Sequence, residues 1–370
     1  MPEFEIQLIA VIASVACAVL GTFIVLRKMS MLTDAITHTI LLGIVLAYFI
    51  SKDLSSPLLY VGAIIMGLFT VYLVSLLQNT HLLSEEAAIG VVFPFLFSIA
   101  IILISLFAGS VHLDTDSVLL GELAFAPFDR LVVFGIDIGA KSIYTMGLVL
   151  ILNAGFVKIF YKELQLSSFD SLLAYTLGFA PTVLHYLLMT FVSITAVSAF
   201  SVVGSILVVA FMIAPPITAR LLTHELKPMI WISALIGAFN ALIGYQIARS
   251  FDVSIAGSMA LMSGLSFVIV LLFSRQSGMI TRIWQQLHLK RDYDDMALLI
   301  HLFHHYKTEV QESETNIHTI VNHLNWEPHR LENCVKRLLN KHLIVVESDQ
   351  YQLTSEGIAF AAHQYTTLFK

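Results

Sequence analysis

Nine apolar runs, each long enough to form a membrane-crossing helix, dominate this chain and leave little else for it to fold into. A helix needs about 20 residues to cross hydrocarbon. Stretches of that kind occupy residues 6–26, 33–50, 57–77, 88–107, 143–161, 182–200, 203–221, 229–248 and 255–274. The run at 203–221 holds Gly204, Pro215 and Pro216 and is the weakest, so eight to nine transmembrane helices are expected. Charged residues make up only 12% of the 370, about half the share of an ordinary soluble domain, and the mean hydropathy is +0.83. The expected fold is therefore an all-α polytopic membrane protein, a class in which each helix satisfies its own backbone N–H and C=O groups. Ile6 to Leu26 is longer than a secretory h-region and lacks a basic start and a small-residue cleavage motif, so it reads as a retained span. The only cysteines, Cys17 and Cys334, lie in different regions, which argues against a disulfide framework or a thiolate metal site.

The polar connections divide by charge. Those around Arg27, 158–162, 220–227 and 275–291 hold ten Lys and Arg, whereas those around Lys52, 130–141 and Arg249 hold four. By the positive-inside rule the C-terminus is cytoplasmic, and nine spans put the N-terminus outside. Composition changes after Trp284, giving a transmembrane domain at 1–280, a linker at 281–291 and a cytoplasmic domain at 292–370. From Asp292 onward there are six Lys and Arg, eleven Asp and Glu, and eight of the fourteen histidines. Three helices are predicted there, in MALLIHLFHHY, ETNIHTIVNHLN and PHRLENCVKRLLNKHLI, followed by two short strands turning around Asp349 and Gln350. That order is the one a small α+β winged-helix domain would have.

Asp34 and His38 sit one helical turn apart inside the second run. Ionisable groups this close to hydrocarbon are costly and mark a functional site by default. Spacing i, i+4 puts both on one helix face, and an oxygen with an imidazole nitrogen is a ligand set for a divalent cation. Thr33, Thr37 and Thr39 flank them as lining for a polar path. The alternative is an Asp–His hydrogen bond that only packs two helices. The connection at 108–142 carries His112, Asp114, Asp116 and Glu122, an acidic set that either concentrates cations or is a solvated loop.

Six blocks in register resemble the membrane permease of ATP-binding-cassette importers for manganese, zinc or iron. They are Val25 to Tyr48, SEEAAIGVVF (84–93), HLDTDSVLLGEL (112–123), FYKELQLSSFDSLLAYTLGF (160–179), VGSILVVAFMIAPPITARLL (203–222) and DVSIAGSMA (252–260), and the likeness extends over residues 5–280 in the family's order. Relatives commonly have glycine before the aspartate and small residues around the histidine, where this chain has threonines, but Asp34 and His38 are kept.

The resemblance implies a permease in the bacterial plasma membrane, paired with a second copy or a paralogue across a shared pore. An extracytoplasmic metal-binding protein would feed it and ATPase subunits would drive it. The metal is cargo, passed transiently by Asp34 and His38, and no permanent cofactor is implied. The chain has no GxxxxGK[ST] phosphate loop, so ATP hydrolysis is expected on a separate chain and this one is not an enzyme. SSFDSLLAYTLGF resembles the coupling helix that docks on the ATPase, with Phe169, Leu173, Tyr175 and Gly178 as contacts; an ordinary connecting loop is the alternative.

The tail resembles the winged-helix domain of iron-dependent repressors, most clearly in HLIVVESDQYQLTSEG. DNA binding needs a basic footprint, and the acidic balance argues against it, since Arg330, Lys336, Arg337 and Lys341 are the sole basic cluster. A regulatory module that senses metal or contacts the ATPase, or a folded appendage, are the other readings. His301, His304 and His305 are its metal-ligating candidates. The leading function is a permease importing a divalent metal, manganese first, then zinc or iron. The rival is a membrane-tethered metal-responsive transcriptional regulator. An ion-gradient transporter would show charged relays or inverted repeats, which are not evident.

Overall fold

A computed structural model describes residues 2–53, 56–107, 123–133, 136–274, 278–306 and 314–368. The chain separates into two compact units, Met1–Gly278 and Met279–Lys370. Among the described residues of the first unit, nine helices are long and apolar enough to cross a membrane. They are α1 (Pro2–Leu26), α2 (Ser30–Ser51), α3 (Leu58–Gln78), α4 (Glu85–Phe107), α5 (Lys141–Ile159), α8 (Pro181–Val203), α9 (Ser205–Leu222), α10 (Leu226–Phe251) and α11 (Ile255–Phe273). Between α4 and α5 lies an antiparallel hairpin, β1 (Arg130–Val133) with β2 (Ile136–Ala140). Two short helices, α6 (Tyr161–Phe169) and α7 (Ser171–Thr176), join α5 to α8.

The most apolar window of α1 is 78% buried, against 28% for α4. Helix α1 is therefore the interior staff of the bundle and packs on α5, α8, α9 and α10. In lipid, close backbone approach and polar cross-links replace the hydrophobic drive between helices, and both occur here. Gly43 of α2 and Gly62 of α3 face each other so closely that a Cβ on Gly62 would stand 2.6 Å from the Gly43 carbonyl oxygen. Thr70 of α3 donates to Thr39 Oγ1 of α2 at 2.7 Å. Asn153 of α5 donates to Thr195 Oγ1 of α8 at 2.8 Å and to the Ala16 carbonyl of α1 at 3.2 Å.

The weakest run proves helical. Gly204, at φ 81°, is the single residue between α8 and α9. Pro215 and Pro216 lie buried inside α9. Proline lacks an N–H, so Pro216 gives the Met212 carbonyl no helical donor, and Gly21 of α1 lies against that carbonyl, where a Cβ would come within 2.9 Å of its carbon. The proline pair thus belongs to the α1–α9 packing. At the N-terminal end of α1, Arg130 of the hairpin bonds Glu5 at 2.9 Å and Asp137 at 2.8 Å, and Arg249 meets Glu3 at 2.8 Å.

In the second unit, α12 (Met279–His304) is followed by α13 (Ile320–His323), α14 (Pro328–Asn340), the hairpin β3 (Ile344–Glu347) and β4 (Gln350–Leu353), and α15 (Ser355–Leu368). Leu298, Leu302, Ile320, Leu331, Leu338 and Ile344 belong to its core. The segment 281–291, expected as a linker, is helical within α12, because it is rich in helix formers and no glycine or proline occurs between Gly278 and Pro328. The predicted helix in ETNIHTIVNHLN shrinks to four residues. Asn316 bridges Gln350, and Tyr351 N donates to the Thr315 carbonyl at 3.0 Å, so residues 315–317 join the edge of the hairpin instead. The turn falls at Ser348–Asp349, one residue earlier than predicted, with φ 50° and 60°, as a two-residue type I′ loop requires.

Candidate metal-passage site

The α1–α2 turn runs through Lys28, at φ 62°, and α2 then carries Asp34 and His38 on one face. His38 Nε2 lies 3.5 Å from Asp34 Oδ1, too long for a good hydrogen bond. Their side chains are 24% and 42% exposed, respectively. On the other side, the His38 ring packs against Phe93 and Phe97 of α4 at centroid separations of 5.2 and 5.9 Å. Those two phenylalanines are i, i+4 neighbours and form an aromatic wall that orients the imidazole. The sequence reading missed them, and the FPFLF spacing in the fourth run was the available signal. Among the described residues the Asp34 carboxylate has no nearer partner than His38. The site is therefore an open oxygen–nitrogen pair with spare lone pairs, suited to weak and reversible binding of a cation.

The threonines do not line a path. Thr33, Thr37 and Thr39 are buried. Thr37 donates to the Asp34 carbonyl at 2.8 Å, and Thr39 donates to the Ile36 carbonyl while accepting from Thr70. One residue of offset turns a helical side chain about 100° away from its neighbour, so these hydroxyls face the bundle interior.

The short helices α6 and α7 carry the second set of predicted residues. The Asp170 side chain accepts from Leu173 N at 2.9 Å and caps α7. Phe169 is 60% exposed and Tyr175 71% exposed, while Leu173 is also exposed. Gly178 takes φ 87° just beyond the helix. Leu172 and Leu177, which the sequence reading passed over, extend the same exposed apolar patch. Arg27, at the end of α1, donates to Ser167 Oγ at 2.8 Å and Ser168 Oγ at 3.2 Å. Partial burial pulls its guanidinium down to about 10, so it stays charged at neutral pH. One side chain thus links the turn leading into the Asp34–His38 helix to the exposed patch.

His112, Asp114, Asp116 and Glu122 lie outside the described residues. In the C-terminal unit, His301 and His305 come together with Glu314, which the sequence reading did not pair with them. His304 lies beside His305 at 5.2 Å between ring centroids but stays outside that convergent group. Burial, helped by the neighbouring His301, pushes the His305 imidazole below its ordinary range. The four basic residues of α14 and its C-terminal end are all engaged within the unit. Arg330 pairs with Asp294, Lys336 with Glu332, and Arg337 and Lys341 with Asp295.

Known proteins resemble this chain along most of its length. The zinc transport system membrane protein TroD of Treponema pallidum is 43% identical over 358 residues, 96% of this chain and 97% of that one. A match of that length cannot end with the first unit. The manganese transport system membrane protein MntD of Bacillus subtilis is 44% identical over 292 residues, 78% of this chain and 99% of its own. The solved structure of PsaBC from Streptococcus pneumoniae in complex with Fab superposes with a TM-score of 0.62 at 29% identity, covering 76% of this chain and 94% of that one. Residues 4–274 match the profile of the ABC 3 transport family, and they include the whole Asp34–His38 site and the α6–α7 patch. The chain belongs to the ABC 3 transport family.

Proposed function

We propose that this chain is the permease of an ATP-binding-cassette importer that carries a divalent transition metal into the cytoplasm, with manganese the first choice and zinc or iron next. The observation that carries the reading is the open Asp34–His38 pair. It offers one oxygen and one nitrogen on a half-exposed face, and among the described residues no other charged side chain pairs with Asp34. A second copy or a paralogue across that face would double the donors, cover the charged pair from lipid, and still leave coordination weak enough for release. The relatives named for zinc and manganese transport support the substrate class. An extracytoplasmic metal-binding protein delivers the ion, and the acidic stretch from His112 to Glu122 is the expected attractor there.

The exposed patch of Phe169, Leu172, Leu173, Tyr175 and Leu177 serves as the ATPase docking surface, since contiguous apolar exposure outside the spans marks a partner site. ATP-driven movement of that patch reaches the site through Arg27, which grips Ser167 and Ser168 from the α1–α2 turn. The excess of Lys and Arg in the connections of that side supports a cytoplasmic position for α6, α7 and the C-terminal unit. The order of three helices, a hairpin and a final helix in that unit supports a winged-helix-like module. The basic cluster Arg330, Lys336, Arg337 and Lys341 is paired with carboxylates of the same unit, which favours a regulatory role over DNA contact.

Reconstitution of the permease with its ATPase in liposomes tests the reading. ATP-dependent accumulation of manganese or zinc, with calcium excluded, is expected; ATP turnover without accumulation of any transition metal would refute it.

A further inference from the structure

The C-terminal unit holds a second convergence of metal-binding groups, unrelated to the transport path. His301 and His305 are one turn apart at the end of α12, with ring centroids 4.9 Å apart, and His305 N donates to the His301 carbonyl at 3.2 Å, which keeps the helical turn. Glu314 arrives from the far side of the 307–313 connection. One ligand atom from each of His301, His305 and Glu314 lies within 4.8 Å of the others. Glu314 Oε2 is 3.8 Å from His301 Nε2, and the same oxygen contacts His323 Nδ1 on α13. The ring centroids of His301 and His323 are 6.5 Å apart. His301 Nε2 also lies 3.1 Å from the Glu314 backbone carbonyl.

We infer that His301, His305 and Glu314 form a transition-metal site of zinc type in this unit, with His323 as the positioning residue that holds the Glu314 carboxylate. Zinc sits at about 2.0–2.1 Å from imidazole nitrogen, so a tetrahedral ion needs its ligand atoms roughly 3.4 Å apart. Bringing atoms that lie within 4.8 Å of one another to that spacing takes side-chain shifts of up to roughly 1.4 Å. Three protein ligands leave one coordination position for water, the pattern of an exchangeable site rather than a sealed structural one. His323 supplies the outer contact that ligating carboxylates commonly need.

The donor set also separates this site from the transport path. Two imidazoles with one carboxylate suit zinc, copper or nickel, whereas manganese prefers carboxylate, carbonyl and water oxygens. The unit therefore responds to an ion of softer preference than manganese, the first-choice cargo of the Asp34–His38 pair. Because the ligands come from α12 and from residues 314–323, metal binding pins that segment to the helix. An ion that binds only the ordered form stabilises it by mass action.

The test uses the full chain in detergent, free of any polyhistidine tag, with Asp34→Ala so that the transport pair is removed. Equilibrium dialysis should give one bound zinc per chain, and cobalt substituted for zinc should show the intense visible absorption of a tetrahedral site. His301→Ala with His305→Ala should abolish both. Glu314→Gln should weaken zinc by at least about tenfold, a loss in the range known for groups around a metal. His329→Ala, which alters an exposed histidine of the same unit, should change nothing. Far-UV circular dichroism checks that each variant is folded, and His305→Gln alone replaces the double variant if the latter is not. Absence of zinc from the Asp34→Ala parent, retention of full zinc by the folded His301/His305 variant, or manganese binding as tight as zinc would overturn the inference. None of these outcomes bears on transport, so failure here leaves the permease reading untouched.

Discussion

Asp34 in the membrane unit and Asp295 in the C-terminal unit are both carboxylates set among apolar neighbours, and the protein treats them in opposite ways. Asp295, 7% exposed, receives Arg337 at 2.8 Å, Lys341 at 2.9 Å and the Cys334 thiol at 3.4 Å, while its neighbour Asp294 pairs with Arg330. Asp34 has His38 at 3.5 Å and, among the described residues, nothing closer. A buried anion whose partners are all internal holds structure together, and removing a partner leaves a charge without compensation. A carboxylate beside hydrocarbon with lone pairs unused adds little to the fold, which is the basis for proposing that Asp34 serves a passing cation. Satisfaction of charge, rather than burial, separates the structural cluster from the proposed passage site.

The largest effect expected from breaking this contrast is on stability. Arg337→Met with Lys341→Met strands the Asp295 carboxylate and should destabilise the C-terminal unit by about 3–5 kcal/mol. Hydrogen exchange of the α14 amides reads this directly. A loss below about 1 kcal/mol would put Asp295 in the same class as Asp34 and end the distinction.

A second prediction extends the contrast to apolar groups left without partners. Leu172→Asp with Tyr175→Asp alters the exposed face of α7 without touching the core. The variant should fold and enter the membrane, yet bind the ATPase at least about 2 kcal/mol more weakly, roughly thirtyfold, as loss of an interface anchor does. Co-purification at matched expression measures it, and undiminished recovery of the ATPase would return α7 to an ordinary connection.

The smallest effect is chemical. Burial, with Asp295 adding to it, pushes the Cys334 thiol up from 9.0 to about 12. The raised value favours the neutral thiol, so at pH 8 the reactive thiolate is depleted roughly a thousandfold relative to an ordinary cysteine. Maleimide labelling of Cys334 should be slow in the native chain and rise with pH toward 12. It should accelerate in the Arg337/Lys341 variant as that unit opens. Fast native labelling at pH 8 would show the cluster to be looser than its distances indicate.

The membrane architecture was legible because a span must be about 20 apolar residues long, and the predicted run at 143–161 differs from α5 by only two residues at each end. The Asp34–His38 pair was legible for a similar reason, since i, i+4 spacing alone puts two side chains on one face. Its environment was not. Phe93 and Phe97 reach His38 through the packing of α2 on α4, which no local pattern encodes. The threonines read as pore lining because one-dimensional adjacency ignores the 100° rotation that turns Thr33 and Thr37 inward. In the C-terminal unit, Glu314 meets His301 across thirteen residues of chain. The helix predicted in ETNIHTIVNHLN lost to an edge pairing with Gln350 and Tyr351, a tertiary contact that overrides a weak local propensity. The turn slipped by one residue because Asp349 and Gln350 looked polar enough, whereas positive φ is required at both central positions and is met at Ser348 and Asp349.

Metal uptake in cells carrying the permease and its ATPase asks whether the under-satisfied Asp34–His38 pair passes the ion. Native chain, Asp34→Ala and His38→Ala would be compared at equal membrane levels, alongside their thermal stabilities in detergent. Each variant should lose at least about tenfold in manganese or zinc uptake while its stability shifts by no more than about 0.5 kcal/mol, because the 3.5 Å contact contributes little to the fold. Normal uptake by both variants would show that the pair does not pass the metal, and a collapse in their stability would show that it holds the fold instead.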